Sequence, residues 1–210
     1  MKKTLLFLAL SCVSVAASAT EANGISYSYA DLDYIYGDAS DASYQGLGLK
    51  GSFEIGAGFF ITGSYREQKI DNFGGSNDVS EWTLGGGFAK SLSDNLDWVT
   101  QAAYVEKDAE LSLGQFPASN GQSRLRDDVA GFRVSSGVRG RISPKLIGHA
   151  YLGYEDLGDV RDSLGSLDFD GDVYGDLGLE YQFTKRWSAT TSVMLSKGVT
   201  EYTGGLRLSF

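Results

Sequence analysis

The sequence predicts an all-β fold: strands closed into an antiparallel barrel that crosses a membrane, with ten strands favoured and eight the alternative. Three observations carry this. From Tyr202 to Phe210 the chain alternates strictly, with Tyr202, Gly204, Leu206, Leu208 and Phe210 on one face and Thr203, Gly205, Arg207 and Ser209 on the other, the period of a strand with one apolar side. Nine earlier segments of similar length repeat the pattern, each close to the roughly ten residues of a tilted transmembrane strand. No segment after residue 19 reads as a spanning helix, and a closed barrel is the other fold that satisfies every backbone group in lipid.

The opening residues predict an address. Lys2 and Lys3 precede an apolar run from Leu5 to Ala16 and the small triplet Ala17-Ser18-Ala19, the pattern of a signal peptide cleaved after Ala19; the run is short of the roughly 20 residues a membrane helix requires. Cys12, the only cysteine, falls inside it, in a poor lipoprotein context. Residues 20–210 are expected to be one barrel domain without disulfide, thiol or lipid chemistry. Loss of Lys2 and Lys3 takes the net charge from −9 to −11, so the chain lacks the basic footprint of a nucleic-acid binder. With 28 glycines and only 2 prolines, it suits closely packed strands better than a disordered linker.

Taken in order, the first strand puts Ala30, Leu32, Tyr34 and Tyr36 outward and Asp31 and Asp33 inward. Across the polar stretch Gly37 to Ser43, the second puts Leu47, Leu49, Gly51, Phe53 and Ile55 outward against Lys50 and Glu54. The Gly56-Ala57-Gly58 turn leads to Phe59, Ile61, Gly63 and Tyr65, opposed by Arg66 and Gln68. After a loop from Asp71 to Asp78, Trp82, Leu84, Gly86 and Phe88 face out, with Glu81 inward, and a turn follows at Ser91 to Asn95. The fifth strand has two apolar faces. We take Trp98, Thr100, Ala102 and Tyr104 as outward, because that leaves Gln101 and Lys107 inside. A long loop is expected from Asp108 to Asp128, which holds Pro117 and Asn120-Gly121.

The sixth strand places Ala130, Phe132, Val134, Ser136 and Val138 outward and Arg133 and Arg139 inward, and it turns at Pro144. Gly148, Ala150, Leu152 and Tyr154 follow, opposed by His149, Tyr151 and Glu155. Beyond a loop from Asp156 to Asp170, Val173, Leu177, Leu179, Tyr181 and Phe183 face out and Asp172, Asp176 and Glu180 face in. After Thr184-Lys185-Arg186 comes Trp187, Ala189, Thr191, Val193 and Leu195, then a tight connection to the closing strand. Connections alternate between short turns and longer polar loops, which puts the turns in the periplasm and the loops outside.

The run Gly178-Leu179-Glu180-Tyr181-Gln182-Phe183-Thr184-Lys185-Arg186-Trp187-Ser188, with Gly137-Val138-Arg139-Gly140 and Leu152-Gly153-Tyr154-Glu155-Asp156, resembles the small bacterial outer-membrane β-barrel superfamily of OmpA-type and OmpX-type proteins. In pattern it is similar to small barrels of plant- and soil-associated gammaproteobacteria. The terminal Phe210 resembles the closing aromatic of such barrels. That resemblance implies the outer membrane of a Gram-negative bacterium, contact with its lipids and lipopolysaccharide, and passage through periplasmic chaperones and the barrel-insertion machinery. Ten strands depart from the usual eight of those relatives.

The inward face is charged: Asp31, Asp33, Lys50, Glu54, Arg66, Glu81, Arg133, Arg139, His149, Glu155, Asp172, Asp176, Glu180 and Arg207. Counting outward from Pro144 sets Arg133 opposite Glu155 and Arg139 opposite His149, and the next loop brings Asp172 beside Glu155. An Arg133, Glu155 and Asp172 cluster is expected, and Arg207 is expected near Asp31 and Asp33. Unpaired buried charge costs several kcal/mol per ion, so these groups must pair or hold water. The outward aromatics Tyr34, Tyr36, Tyr65, Trp82, Trp98, Tyr154, Tyr181, Trp187, Tyr202 and Phe210 suit interfacial girdles.

Other motifs lose their meaning in context. Gly46-Leu47-Gly48-Leu49-Lys50-Gly51 has dinucleotide-site spacing but opens no helix. Asp168-Phe169-Asp170-Gly171-Asp172 begins like a calcium loop, yet Val173 and Leu179 stand where Gly and Glu are needed. His149, the only histidine, reads as a packed lumen residue rather than a general base. No cofactor, metal or catalysis is expected. The expected role is structural and surface-interacting, through the loops at Asp108 to Asp128 and Asp156 to Asp170; the alternative is a narrow pore for ions or small solutes.

Overall fold

Ten antiparallel strands close on themselves in a computed structural model that describes residues 24–39, 42–72, 75–112, 124–158, 160–162, 165–167 and 171–210. The expected signal peptide at residues 1–19, with Cys12, lies outside the described residues, as do Pro117, Asn120, Gly121 and the first three residues of the calcium-like run. In chain order the strands are β1 (Tyr29–Ala39), β2 (Ala42–Gly56), β3 (Phe59–Asn72), β4 (Gly75–Ser93), β5 (Leu96–Ser112), β6 (Arg124–Ser143), β7 (Leu146–Leu157), β8 (Val160–Asp162), β9 (Gly165–Leu167), β10 (Asp172–Gln182), β11 (Trp187–Ser196) and β12 (Val199–Ser209). Each barrel strand pairs with its neighbours in sequence, β7 pairs with β10, and β1 closes on β12 from Tyr29↔Ser209 to Ala39↔Val199. The short β8–β9 hairpin stands apart as its own two-stranded sheet.

Alternation places one side chain in two on the outside, and the outside is apolar. Leu32, Leu47, Ile61, Leu84, Val134, Leu152, Leu177, Leu195 and Leu206 are all exposed. Water would penalise such a belt on a barrel wall; hydrocarbon favours it. The fifth strand takes the phase that leaves Gln101 inside: Trp98 and Tyr104 are exposed, whereas Val99 and Val105 are buried. Ser136, polar on this outer face, accepts a hydrogen bond from the Trp98 indole at 2.9 Å.

Strand lengths correct the sequence expectation. β4, β5 and β6 run to 19, 17 and 20 residues, so both ends of the loop expected from Asp108 to Asp128 are ladder, and residues 113–123 separate the two strands. Likewise β3 and β4 continue through most of Asp71 to Asp78, and the connection after β1 is residues 40–41 rather than Gly37 to Ser43. The expected Asp156 to Asp170 loop contains β8 and β9, and the turn placed at Ser91 to Asn95 is the pair Asp94–Asn95. A ladder that has left the membrane still satisfies its backbone but needs no apolar face, so its sequence looks like loop.

At the opposite end, turns are tight and three of the incoming strands carry a register shift, at Glu54/Gly56, Ser91/Ser93 and Arg141/Ser143. Such bulges are common at barrel rims, where they add twist and end the pairing. Gly56, Ala57 and Gly58 all have positive φ (110°, 54° and 82°), as a tight hairpin turn demands. A Cβ on Gly58 would lie 2.2 Å from the Ala89 carbonyl oxygen, which accepts no such approach.

Candidate functional site in the barrel lumen

The inward residues form two ion-pair layers across the lumen. In the upper layer, towards the long connections, Arg66 on β3 meets Glu81 on β4 through two hydrogen bonds of 3.0 and 2.9 Å and reaches Glu201 on β12 at 2.9 Å. Glu201 also accepts from the Tyr44 hydroxyl at 2.8 Å and from Gln68 at 3.3 Å. Lys107 on β5 bridges Glu155 at 2.6 Å and Glu81 at 3.3 Å. Arg133 on β6 binds Glu155 and touches Glu81 at 3.4 Å. Three cations thus meet three carboxylates, and Glu81, which is buried, is shared by all three cations.

In the lower layer, Arg207 on β12 grips Asp31 on β1 through two 2.7 Å hydrogen bonds and reaches Glu180 on β10 at 2.9 Å. Arg139 on β6 meets the same Glu180 oxygen at 2.9 Å, and Ser188 donates to the other at 2.9 Å. The Arg207 guanidinium lies 3.7 Å from the centre of the Tyr29 ring. Such bidentate, charge-assisted contacts offset much of the desolvation cost of burying the ions.

Between the layers, His149 Nε2 lies 3.2 Å from Asp176 Oδ2, and its ring stacks on Tyr151 with centroids 4.9 Å apart. Lys50 sits 5.9 Å from the Tyr29 ring centre. A cavity of about 70 Å³ remains, lined by Asp33, His149, Thr190, Ser192 and Arg207 among others.

Below the lower layer the lumen turns apolar. Ile25 and Tyr27, from the segment ahead of β1, pack with Phe60, Val99 and Ile147 from the wall. Tyr27 stacks on Phe60 at 5.2 Å and donates its hydroxyl to Asp97 at 2.9 Å. Arg139 donates to the Ser26 carbonyl at 3.0 Å, and Arg141 donates to that of Gly24.

Placed on this map, the predicted inward residues separate. Arg66, Glu81, Arg133 and Glu155 make the upper layer, and Asp31, Arg139, Glu180 and Arg207 the lower. Asp33, Lys50, His149 and Asp176 lie between them. Glu54 stands at the β2 bulge, where its backbone N–H donates to Ser28 Oγ. Asp172 pairs with Glu155 in the register, but among the described residues Glu155 makes its ion pairs with Arg133 and Lys107. The cluster therefore forms around Glu81 and not Asp172, because the longer Lys107 and Arg133 side chains reach that buried carboxylate.

Sequence reasoning omitted Glu201, Tyr44, Asp97 and the whole Ile25–Tyr27 insertion. A signal was present: Ile25, Tyr27 and Tyr29 share the odd-numbered, inward phase of Asp31 and Asp33, and Glu201 shares that of Arg207. Of the expected girdle, Tyr34, Tyr36, Tyr65, Trp82 and Tyr202 are exposed on one rim and Trp98, Tyr181 and Trp187 on the other; Tyr154 and Phe210 are half-buried. Tyr104 packs at a tilt beside Trp82, with ring centroids 5.3 Å apart, and Phe132 likewise beside Tyr154 at 6.1 Å, extending the upper girdle.

No protein-family model and no curated protein matches the sequence. Among solved structures, the chain is similar to an outer membrane channel from Pseudomonas putida F1 (8% identity, 92% of this chain and 100% of that chain, TM-score 0.56). It is also similar to the beta domain of the Bordetella autotransporter BrkA (16% identity, 87% and 98%, TM-score 0.52). At these identities the likeness is one of fold, and the fold is that of an outer-membrane β-barrel.

Proposed function

We propose that the protein resides in the outer membrane of a Gram-negative bacterium as a closed scaffold that presents its tall β4–β6 wall outside the cell. The observation that carries this reading is the filled lumen: ion pairs join β3 to β12 and β6 to β10, and the Ile25–Tyr27 segment covers the lower end. A lumen filled by side chains, as in the narrowest barrels, leaves the outer surface as the part that can meet a partner. Above the girdle residues Tyr65 and Trp82, the exposed positions become Glu67, Lys69 and Asp78, a solvated face suited to contact with lipopolysaccharide headgroups or an external partner. One structural neighbour bears the name of a channel. That name favours a pore, but the apolar seal of Ile25, Tyr27, Phe60, Val99 and Ile147 stands across the path a solute would take.

Trimming the β5–β6 hairpin tests the surface role. Residues 109–127 are replaced by a two-residue Asn-Gly turn, since Ala109 and Asp127 face each other in the register. Cells carrying the trimmed barrel should lose binding to host matrix, neighbouring cells or purified lipopolysaccharide while the barrel still folds. Unchanged binding to all three contradicts the surface role.

A further inference from the structure

The lumen is not uniformly filled. Side chains of Lys107, His149 and Asp176 keep 26, 25 and 27% of their area exposed, whereas those of Arg139 and Glu180 keep 7% each. Beneath them Ile25, Tyr27, Phe60, Val99 and Ile147 are all buried. The interior is therefore partly open beside Lys107 and Arg133 and at the mid-barrel pair His149–Asp176, and closed by apolar side chains below. The closed end is the periplasmic one, since Phe60, Val99 and Ile147 follow the tight turns at Ala57–Gly58, Asp94–Asn95 and Pro144–Lys145.

The two parts of that seal differ in how they are held. Phe60, Val99 and Ile147 belong to β3, β5 and β7 and are fixed by the barrel ladder. Ile25 and Tyr27 lie outside every strand, and the barrel closes through β1 and β12 without them. Their segment is held by separate contacts: Arg139 to the Ser26 carbonyl, Arg141 to the Gly24 carbonyl, the Tyr27 hydroxyl to Asp97, and the Tyr27 ring between Phe60 and the Arg139 guanidinium, the latter at 5.1 Å. Ser28 is the tether, accepting from the Phe210 backbone N–H at 3.1 Å and, through its hydroxyl, from that of Glu54 at 3.1 Å. Residues 24–27 belong to no strand, and the β1–β12 closure does not depend on them. Their departure takes two of Arg139's contacts, the Ser26 carbonyl and the Tyr27 ring, so the lower ion-pair layer loosens with them.

We propose that residues 24–27 are a removable stopper, and that with the stopper withdrawn the barrel passes small cations from one side of the membrane to the other. Cations are favoured because each ion-pair layer balances its own charge, while between the layers the two carboxylates of Asp33 and Asp176 outnumber the single ammonium of Lys50. Carboxylates exposed to a narrow path select for positive charge. The proposal adds a second state to the closed scaffold and stands or falls apart from the surface role of the β5–β6 hairpin.

Planar-bilayer recording of the full barrel tests it. An Ile25→Ala/Tyr27→Ala variant, shown to be folded by heat-modifiable gel migration, should gain stable unitary steps over wild type, with the reversal potential in a KCl gradient shifted toward that of potassium. Adding p-cresol, which can refill the place of Tyr27 against Phe60 and Asp97, should reduce the gained current. If the double variant does not fold, Tyr27→Ala alone is read in the same way. A folded variant as silent as wild type, a gained current that p-cresol leaves unchanged, or a wild type conducting as well as the variant overturns the stopper. A reversal potential on the chloride side overturns the cation preference.

Discussion

Arg207 and Asp31 join the last strand to the first through two parallel 2.7 Å hydrogen bonds, so the barrel's seam is closed by side chains as well as by the β1–β12 ladder. Both groups are largely buried. Removing one partner strands the other in the lumen, which typically costs about 3–5 kcal/mol. Arg207→Ala should lower the unfolding free energy in urea by that order, and the double change Arg207→Met/Asp31→Leu should cost less than Arg207→Ala. Equal losses in the two variants would mean that the pair is not what holds the seam.

Glu81 serves three cations, so its contribution should be coupled to theirs. An Arg66→Ala/Glu81→Ala double-mutant cycle should return a coupling of about 0.5–3 kcal/mol. Among the described residues, Arg66 and Arg207 share no ion-pair partner, and their losses should add to within about 0.5 kcal/mol. Strong coupling between those two arginines would show the layers to be one network.

The lipid-facing assignment is tested at Leu152, 71% exposed at the middle of β7. Leu152→Arg should destabilise the barrel in liposomes by about 1–3 kcal/mol, the cost of a charge between the bilayer midplane and the girdle level of Tyr154. Lys69→Glu, above the girdle, should change stability little. A neutral Leu152→Arg would place that wall in water.

The periplasmic turn after β2 gives a backbone prediction. Gly58→Ala puts a Cβ at positive φ and 2.2 Å from the Ala89 carbonyl oxygen, and it should destabilise by more than about 1 kcal/mol. Ala57→Gly, at φ 54°, should stabilise the turn slightly. Thermal unfolding of the detergent-folded protein reads both.

How much of this was legible follows from what enforces the pattern. Hydrocarbon demands an apolar side chain at every second position, so Leu32, Leu84, Leu152 and Leu206 announced their faces and the strand count with them. Beyond Tyr65, Trp82 and Tyr104 the ladder stands in water and no face is imposed; Asp78 on β4 and Asp108 on β5 therefore read as loop although they are strand. The ion-pair partners were half legible. Register fixes which Cα atoms oppose, as for Arg133 and Glu155, but Lys107 reaches Glu155 from β5, two strands away, and Arg66 reaches Glu201 across the lumen. Strand counting contains no side-chain length. The Ile25–Tyr27 insertion was hidden differently, because its alternation continues that of β1 and only its inward phase marks it as filling rather than wall.

The central claim, a membrane barrel closed by its own interior, is tested most directly by the conductance of the intact, detergent-folded protein in planar bilayers. The account predicts a silent baseline, with no stable unitary steps in wild type or in a Glu155→Gln variant that leaves the Ile25–Tyr27 segment in place. Frequent stable steps in wild type, changing in size when Arg133 or Glu155 is neutralised, would contradict it.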